Sequence, residues 1–102
     1  MKVVYLSGPY RSNTVHGIVE NIRKAEKYAI QLWDEGYAVI CPHKNSALLD
    51  GIVPDDCFLE GDKEILRRCD IIYMMPGWEY SEGAKAEHQL AKDLGISIIY
   101  IR

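Results

Sequence analysis

A chain of 102 residues and 11.6 kDa buries about 65% of its unfolded surface on folding, enough for one ordinary core and too little for two, so residues 1–102 are expected to form one domain. Lys and Arg number 12 against 15 Asp and Glu, a formal charge of −3, and the pI near 5.5 excludes a protein that grips a nucleic-acid polymer by bulk positive charge. Hydrophobic residues at 48% and charged residues at 26% exclude disorder, and the apolar runs are strand-sized, too short for a membrane span.

The first residues run straight into a strand, Val3-Val4-Tyr5-Leu6, without the longer apolar core and cleavage site of a signal peptide. Ser7-Gly8-Pro9 closes that strand. From about Thr14 to Glu35 the apolar residues Ile18, Ile22, Ala25, Ala29 and Leu32 recur at three- and four-residue spacing, which predicts a helix stopped by Gly36. Tyr37-Ala38-Val39-Ile40 reads as a second strand, ended by Cys41-Pro42. Residues 44–54 read as loop or a short helix. Asp55 or Asp56 is placed to cap a helix that runs to about Arg68. Asp70-Ile71-Ile72-Tyr73-Met74 reads as a third strand, and residues 76–80 as a loop. Ser81 is placed to cap a helix from Glu82 to Leu94, stopped by Gly95, and Ile96 to Ile101 reads as the last strand.

Strands that are apolar on both faces and alternate with helices predict an α/β fold: a doubly wound parallel sheet of about four strands in three α/β/α layers. Right-handed crossovers give the order 2-1-3-4. Ligands bind such sheets beyond the carboxyl ends of the strands, at the point where the order reverses. The site is therefore expected just after Leu6, Ile40 and Met74.

Two carboxylates stand where apolar side chains belong. Glu87 falls on the helical stripe of Gly83, Leu90, Ala91 and Leu94, and Asp62 on that of Phe58, Ile65, Leu66 and Cys69. Acidic side chains are rarely buried unless paired or working. The helix carrying Asp62 descends to Asp70, so its rise lifts Asp62 about 10 Å toward the upper rim. Glu87 lies about 8 Å inside the helix that descends from the same rim. Both then face the crevice, and a partly buried Glu beside an acid or a hydroxyl suits nucleophilic attack at a sugar carbon. The plainer alternative pairs Glu87 with Lys85 or His88, and Asp62 with Lys63 or Arg67, at the surface.

The loop from Ser7 to Thr14 links a strand to a helix, a position that favours anions. Ser7, the Gly8 backbone and Arg11 are placed to grip a phosphate or sugar oxygens, although neither a P-loop nor a Gly-x-Gly-x-x-Gly pattern is present. Tyr5 is near the top of its strand, within reach of Glu87. Trp78 and Tyr80 are placed to stack on a flat base or to anchor their loop, and His43 lies on the same rim. Trp33, on the first helix, reads as packing or a subunit contact. Three scattered histidines and three cysteines (Cys41, Cys57 and Cys69, without a Cys-x-x-Cys pair) predict no metal site or disulfide framework and a reducing, cytoplasmic location.

The run Tyr5-Leu6-Ser7-Gly8-Pro9-Tyr10, then Asp62 with Asp70 eight residues on, then Ser81-Glu82-Gly83-Ala84-Lys85-Ala86-Glu87 resembles the nucleoside 2-deoxyribosyltransferase superfamily. The last stretch is similar to the Ser-x-Gly-x-x-x-Glu form of the 2'-deoxynucleoside 5'-monophosphate N-glycosidases, where the transferases usually carry Asp in place of Ser81. The resemblance implies a flavodoxin-like fold, no cofactor, and a retaining cleavage of the N-glycosidic bond of a (deoxy)nucleoside or its 5'-monophosphate. Glu87 is then the nucleophile on C1', Asp62 serves the departing base, and Tyr5 orients Glu87. Ser81 and Gly83 hold the sugar or 5'-phosphate, with Ser7, Gly8, Pro9, Arg11 and His43 nearby and Trp78 over the base. Ser81 together with Arg11 points to a phosphorylated substrate, since an Asp would repel phosphate. Water as acceptor gives a hydrolase, a second base a transferase. The chain departs from the family at Lys85, Ala86 and His88-Gln89. Family members usually continue past the last strand and lend residues to a neighbouring subunit, so the expected partners are a small nucleoside or nucleotide and further copies of the chain, with no nucleic-acid polymer and no membrane. The alternative, favoured by the missing continuation, is a non-catalytic nucleotide- or nucleotide-sugar-binding module acting as sensor or sequestering protein.

Overall fold

Side chains alternate across the first strand, β1 (Val3–Ser7), and that alternation sorts the core into two layers. In the computed structural model, which describes residues 1–101, Val4 and Leu6 pack on one face with Ala25, Ala29 and Leu32 of α1 (Val15–Asp34). Tyr5 packs on the other face with Leu66 of α3 (Asp55–Arg67) and with Ala84 and Ala91 of α4 (Glu82–Leu94). The remaining strands are β2 (Ala38–Ile40), β3 (Ile71–Met74) and β4 (Ser97–Tyr100), and a short α2 (Pro42–Asn45) follows β2. The sheet is parallel throughout, in the order β2-β1-β3-β4. The expected doubly wound α/β arrangement, of flavodoxin-like order, is therefore the observed one.

Local chemistry accounts for the ends of the helices. Thr14 caps α1, its hydroxyl accepting from the Gly17 amide at 2.9 Å. Ser81 caps α4 by accepting from the Ala84 amide at 3.2 Å. Gly95 closes α4 in a left-handed conformation, φ 72°, that a residue with Cβ adopts at a cost. Burying Leu32 on α1 contributes about 2 kcal/mol on its own.

Three expectations are corrected. Neither Asp55 nor Asp56 caps α3: Pro54 holds that position without a side-chain cap, and both aspartates lie in the first turn, where the helix dipole favours them. The short helix after β2 begins at Pro42, whose fixed φ suits a first helical turn. On α4, the buried positions are Ala84 and Ala91, whereas Gly83 and Leu94 are exposed. The inward stripe is thus rotated by one residue at its start, and Glu87 remains on it.

Candidate active site

The segments that follow β1 and β2, one side of α3 and the N-terminal half of α4 surround a cavity of about 620 Å³. Asp62 and Glu87 both line it, together with Gly8, His43, Ser81 and Gly83. The topology therefore brings together most of the residues expected at the rim.

Glu87 is held from below by strand one. Tyr5, fully buried, donates its hydroxyl to Glu87 Oε2 at 2.5 Å. Ser7, also buried, donates to Glu87 Oε1 at 2.7 Å. Burial pushes the Glu87 carboxyl above its ordinary acidity and the Asp62 charge adds to that push, while the two hydroxyl donors and Lys63 oppose it. The same burial, with the Glu87 charge, drives the Tyr5 phenol far upward, so Tyr5 stays protonated and acts as a fixed donor. Asp62 on α3 is pushed up to about 6 by desolvation and forms no ion pair among the described residues. The arrangement offers one carboxylate stabilised by two hydroxyl donors and one carboxyl poised between acid and base, on two walls of the same cavity.

The surface pairings weighed for these carboxylates are taken up elsewhere. Lys85 pairs with Glu82 at 2.8 Å, Lys63 with Glu60 at 3.5 Å, and Arg67 with Glu64 at 3.2 Å. His88 stacks on Trp78 with ring centroids 4.2 Å apart and meets the Tyr100 hydroxyl at 2.7 Å.

Gly8 lies where strand one leaves the sheet against the exit of strand three. A Cβ at Gly8 would come within 2.8 Å of Met75 Cβ, so only glycine fits. His43 is 4% exposed. Its Nε2 donates to the Pro9 carbonyl at 2.8 Å, and its buried Nδ1 has no protein partner. Burial lowers the His43 pKa and keeps the ring neutral.

Three residues are placed differently from expectation. Ser7 does not line the cavity: it sits behind Glu87 and holds that carboxylate instead of a ligand. Trp78 does not line it either; its ring packs on His88 and Tyr100 and against the core on the α4 side, leaving Tyr80 as the aromatic residue on that wall. Arg11 lines the cavity, but its guanidinium is paired with Asp50 at 3.2 Å and Asp55 at 3.0 Å. Trp33 is 57% exposed on α1, far more than a packed core residue.

Asp50, Asp55 and Lys63 line the cavity wall although the sequence offers none of them as a site residue, Asp55 reading as a helix cap and Lys63 as a surface partner. Nothing local marks Asp50 or Asp55 as partners of a residue some forty positions earlier. The signal for Ser7 did exist, since residues two apart on a strand share a face and Tyr5 points to α4.

A model of the family described as "Domain of unknown function (DUF4406)" matches residues 2–100. No curated protein sequence matches the chain. Among solved structures, the chain is similar to a 2-deoxyribosyltransferase from Bacillus psychrosaccharolyticus, with TM-score 0.70 and 22% identity, covering 96% of this chain and 70% of that one. It is similar to the CMP N-glycosidase of Clostridium botulinum, with TM-score 0.61 and 23% identity over 97% of this chain and 67% of that one. A 2-deoxyribosyltransferase from Leishmania mexicana gives TM-score 0.59 and 19% identity over 99% of this chain and 64% of that one. The chain thus spans about two thirds of the length of these structures and shares their fold.

Proposed function

We propose that this chain, which belongs to the DUF4406 family, cleaves the N-glycosidic bond of a deoxynucleoside or its 5'-monophosphate with retention at the sugar carbon. The observation that carries this reading is the Glu87 carboxylate, gripped by the Tyr5 and Ser7 hydroxyls on the wall of a cavity it shares with Asp62. The likeness in fold to a deoxyribosyltransferase and a CMP N-glycosidase supports it.

In the first step a Glu87 oxygen attacks C1', the C1'–N bond breaks, and its electron pair leaves with the base. Protonated Asp62 gives its proton to the departing base. In the second step water, or the nitrogen of another base, attacks C1' and releases Glu87, and Asp62 takes the proton that the attacker loses. Tyr5 and Ser7 stabilise the carboxylate before attack and after release. Ser81, Gly83, Gly8, Pro9 and His43 bound the sugar, and Arg11 stands at the edge of the cavity. The same reading takes the chain as one domain that works in the cytoplasm as a homo-oligomer.

The test is release of free base, followed by chromatography, from the four common deoxynucleosides and their 5'-monophosphates. Release by the native protein and its loss in Glu87→Ala is the expected result. Full activity in Glu87→Gln removes the nucleophile. Tight binding without release selects the non-catalytic binding module.

A further inference from the structure

Arg11 is the cation that a phosphorylated substrate would be expected to use, and two carboxylates already hold it. Its Nη1 is 3.2 Å from Asp50 Oδ2 and its Nη2 is 3.0 Å from Asp55 Oδ1, so both arms of the guanidinium fork are engaged. The arrangement is anchored from both sides. The Tyr10 hydroxyl donates to the other Asp50 oxygen at 2.7 Å, and Asn21 Nδ2 donates to the Tyr10 carbonyl at 3.0 Å. A single exposed ion pair is weak; here two share one guanidinium and a neighbouring hydroxyl pins one of them.

The rest of the cavity wall offers one other cation, and carboxylates face it as well. Lys63, its other cation, lies 3.5 Å from Glu60. His43 is buried and committed through Nε2 to a backbone carbonyl. The first turn of α4, whose free amides would draw an anion, carries Glu82 on the cavity. Asp62 and Glu87 complete the set, so the acidic side chains on the wall outnumber the basic ones. A phosphate monoester carries close to two negative charges at neutral pH. To reach Arg11 it would have to displace carboxylates that stay beside it, and like charges brought together repel.

We propose that Asp50 and Asp55 are specificity-determining residues: by occupying Arg11 they set the cavity for an uncharged nucleoside and exclude its 5'-monophosphate. This rests on the nucleoside reading above and narrows it to one substrate class, against the phosphorylated substrate that Ser81 and Arg11 suggested in the sequence.

The experiment measures, by calorimetry, the affinity of the native protein for deoxyadenosine, deoxyguanosine, deoxycytidine and thymidine and for each 5'-monophosphate, with base release followed in parallel. The same is done for Asp50→Asn, Asp55→Asn and the double variant. At least one nucleoside is expected to bind tenfold or more tighter than its monophosphate, and the gap is expected to narrow at high salt, which screens the repulsion. In the double variant, with Arg11 released, the preference is expected to shift at least tenfold toward the monophosphate. The ratio is internal to each preparation, so a partly unfolded variant lowers both affinities alike, and the single variants report the same shift in smaller measure. A native protein that binds a monophosphate as tightly as its nucleoside overturns the proposal, as does a ratio that none of the variants moves. Preferential nucleoside binding without base release upholds this proposal and overturns the glycosidase chemistry. Failure of every compound to bind overturns both.

Discussion

Tyr5 and Glu87, 82 positions apart in the chain, are joined by a hydrogen bond of 2.5 Å in which the phenol donates and the carboxylate accepts. Because burial keeps the phenol protonated, the bond favours the ionised form of Glu87 against the desolvation that opposes it. Tyr5→Phe removes this donor and keeps the packing. We expect kcat for base release to fall on the order of a hundredfold. Glu87 then loses an anion-stabilising partner, so its pKa rises and the acidic limb of the rate profile moves to higher pH. A pH–rate series on both proteins checks this, and a limb that moves to lower pH contradicts it. Ser7→Ala acts in the same direction through the other carboxylate oxygen.

Asp62 supplies the opposite limb. Pushed up to about 6 by desolvation, it keeps its proton below that pH and loses it above. Base release is therefore expected to decline as pH rises past about 6, with one proton involved. Asp62→Asn cannot donate that proton, and kcat should drop roughly a hundred- to ten-thousandfold while the alkaline limb disappears. An alkaline limb that persists in the variant assigns the proton to another group.

The same shift has a cost in stability. The carboxyl of Asp62 titrates at about 6 in the fold against an ordinary value of 3.8. Between those values the folded state binds more protons than the unfolded state, so stability falls as pH rises through that window. Asp62 remains partly open to solvent, which moderates the effect. At pH 7 we expect Asp62→Asn to be more stable than the native protein by about 1–2 kcal/mol, and the two to converge below pH 4. Urea unfolding at both pH values measures it; a variant less stable than native at pH 7 goes against the assigned burial.

Gly8 tests the close approach of the chain leaving strand one to the chain leaving strand three, beside the cavity. Its added Cβ would approach Met75 Cε to 2.2 Å and Met75 Cβ to 2.8 Å, and Met75 is itself buried. The methionine tip can rotate away, but its Cβ moves only with the backbone. Gly8→Ala should cost about 1–3 kcal/mol in unfolding free energy, whereas Gly83→Ala, where the added methyl meets open space, should not.

Periodicity accounts for what the sequence discloses. Val4, Leu6, Tyr5 and Ser7 sort by a period of two, and the inward positions of Asp62 and Glu87 by a period of 3.6, so the sheet order and the shared cavity follow from local patterns. Trp78 and Arg11 obey no period. Trp78 belongs to a single 3₁₀ turn, Trp78–Tyr80, whose direction is set by stacking on His88 and Tyr100. Arg11 and Asp50 lie in irregular segments and Asp55 opens a helix, and tertiary contact alone joins them. Each residue type suits a ligand contact, and Trp78 equally suits a loop anchor, but composition carries no information on which neighbour claims it first.

The grip of strand one on α4 also makes a gauge of the molecule's wholeness. β1 is flanked on both sides, by β2 and β3, and its hydroxyls reach a carboxylate carried on the helix that leads into an edge strand, β4. Lifting that helix away would flood the glutamate with water and restore its ordinary acidity. A single proton, taken up or let go, would then report whether the two distant stretches of chain are still seated together.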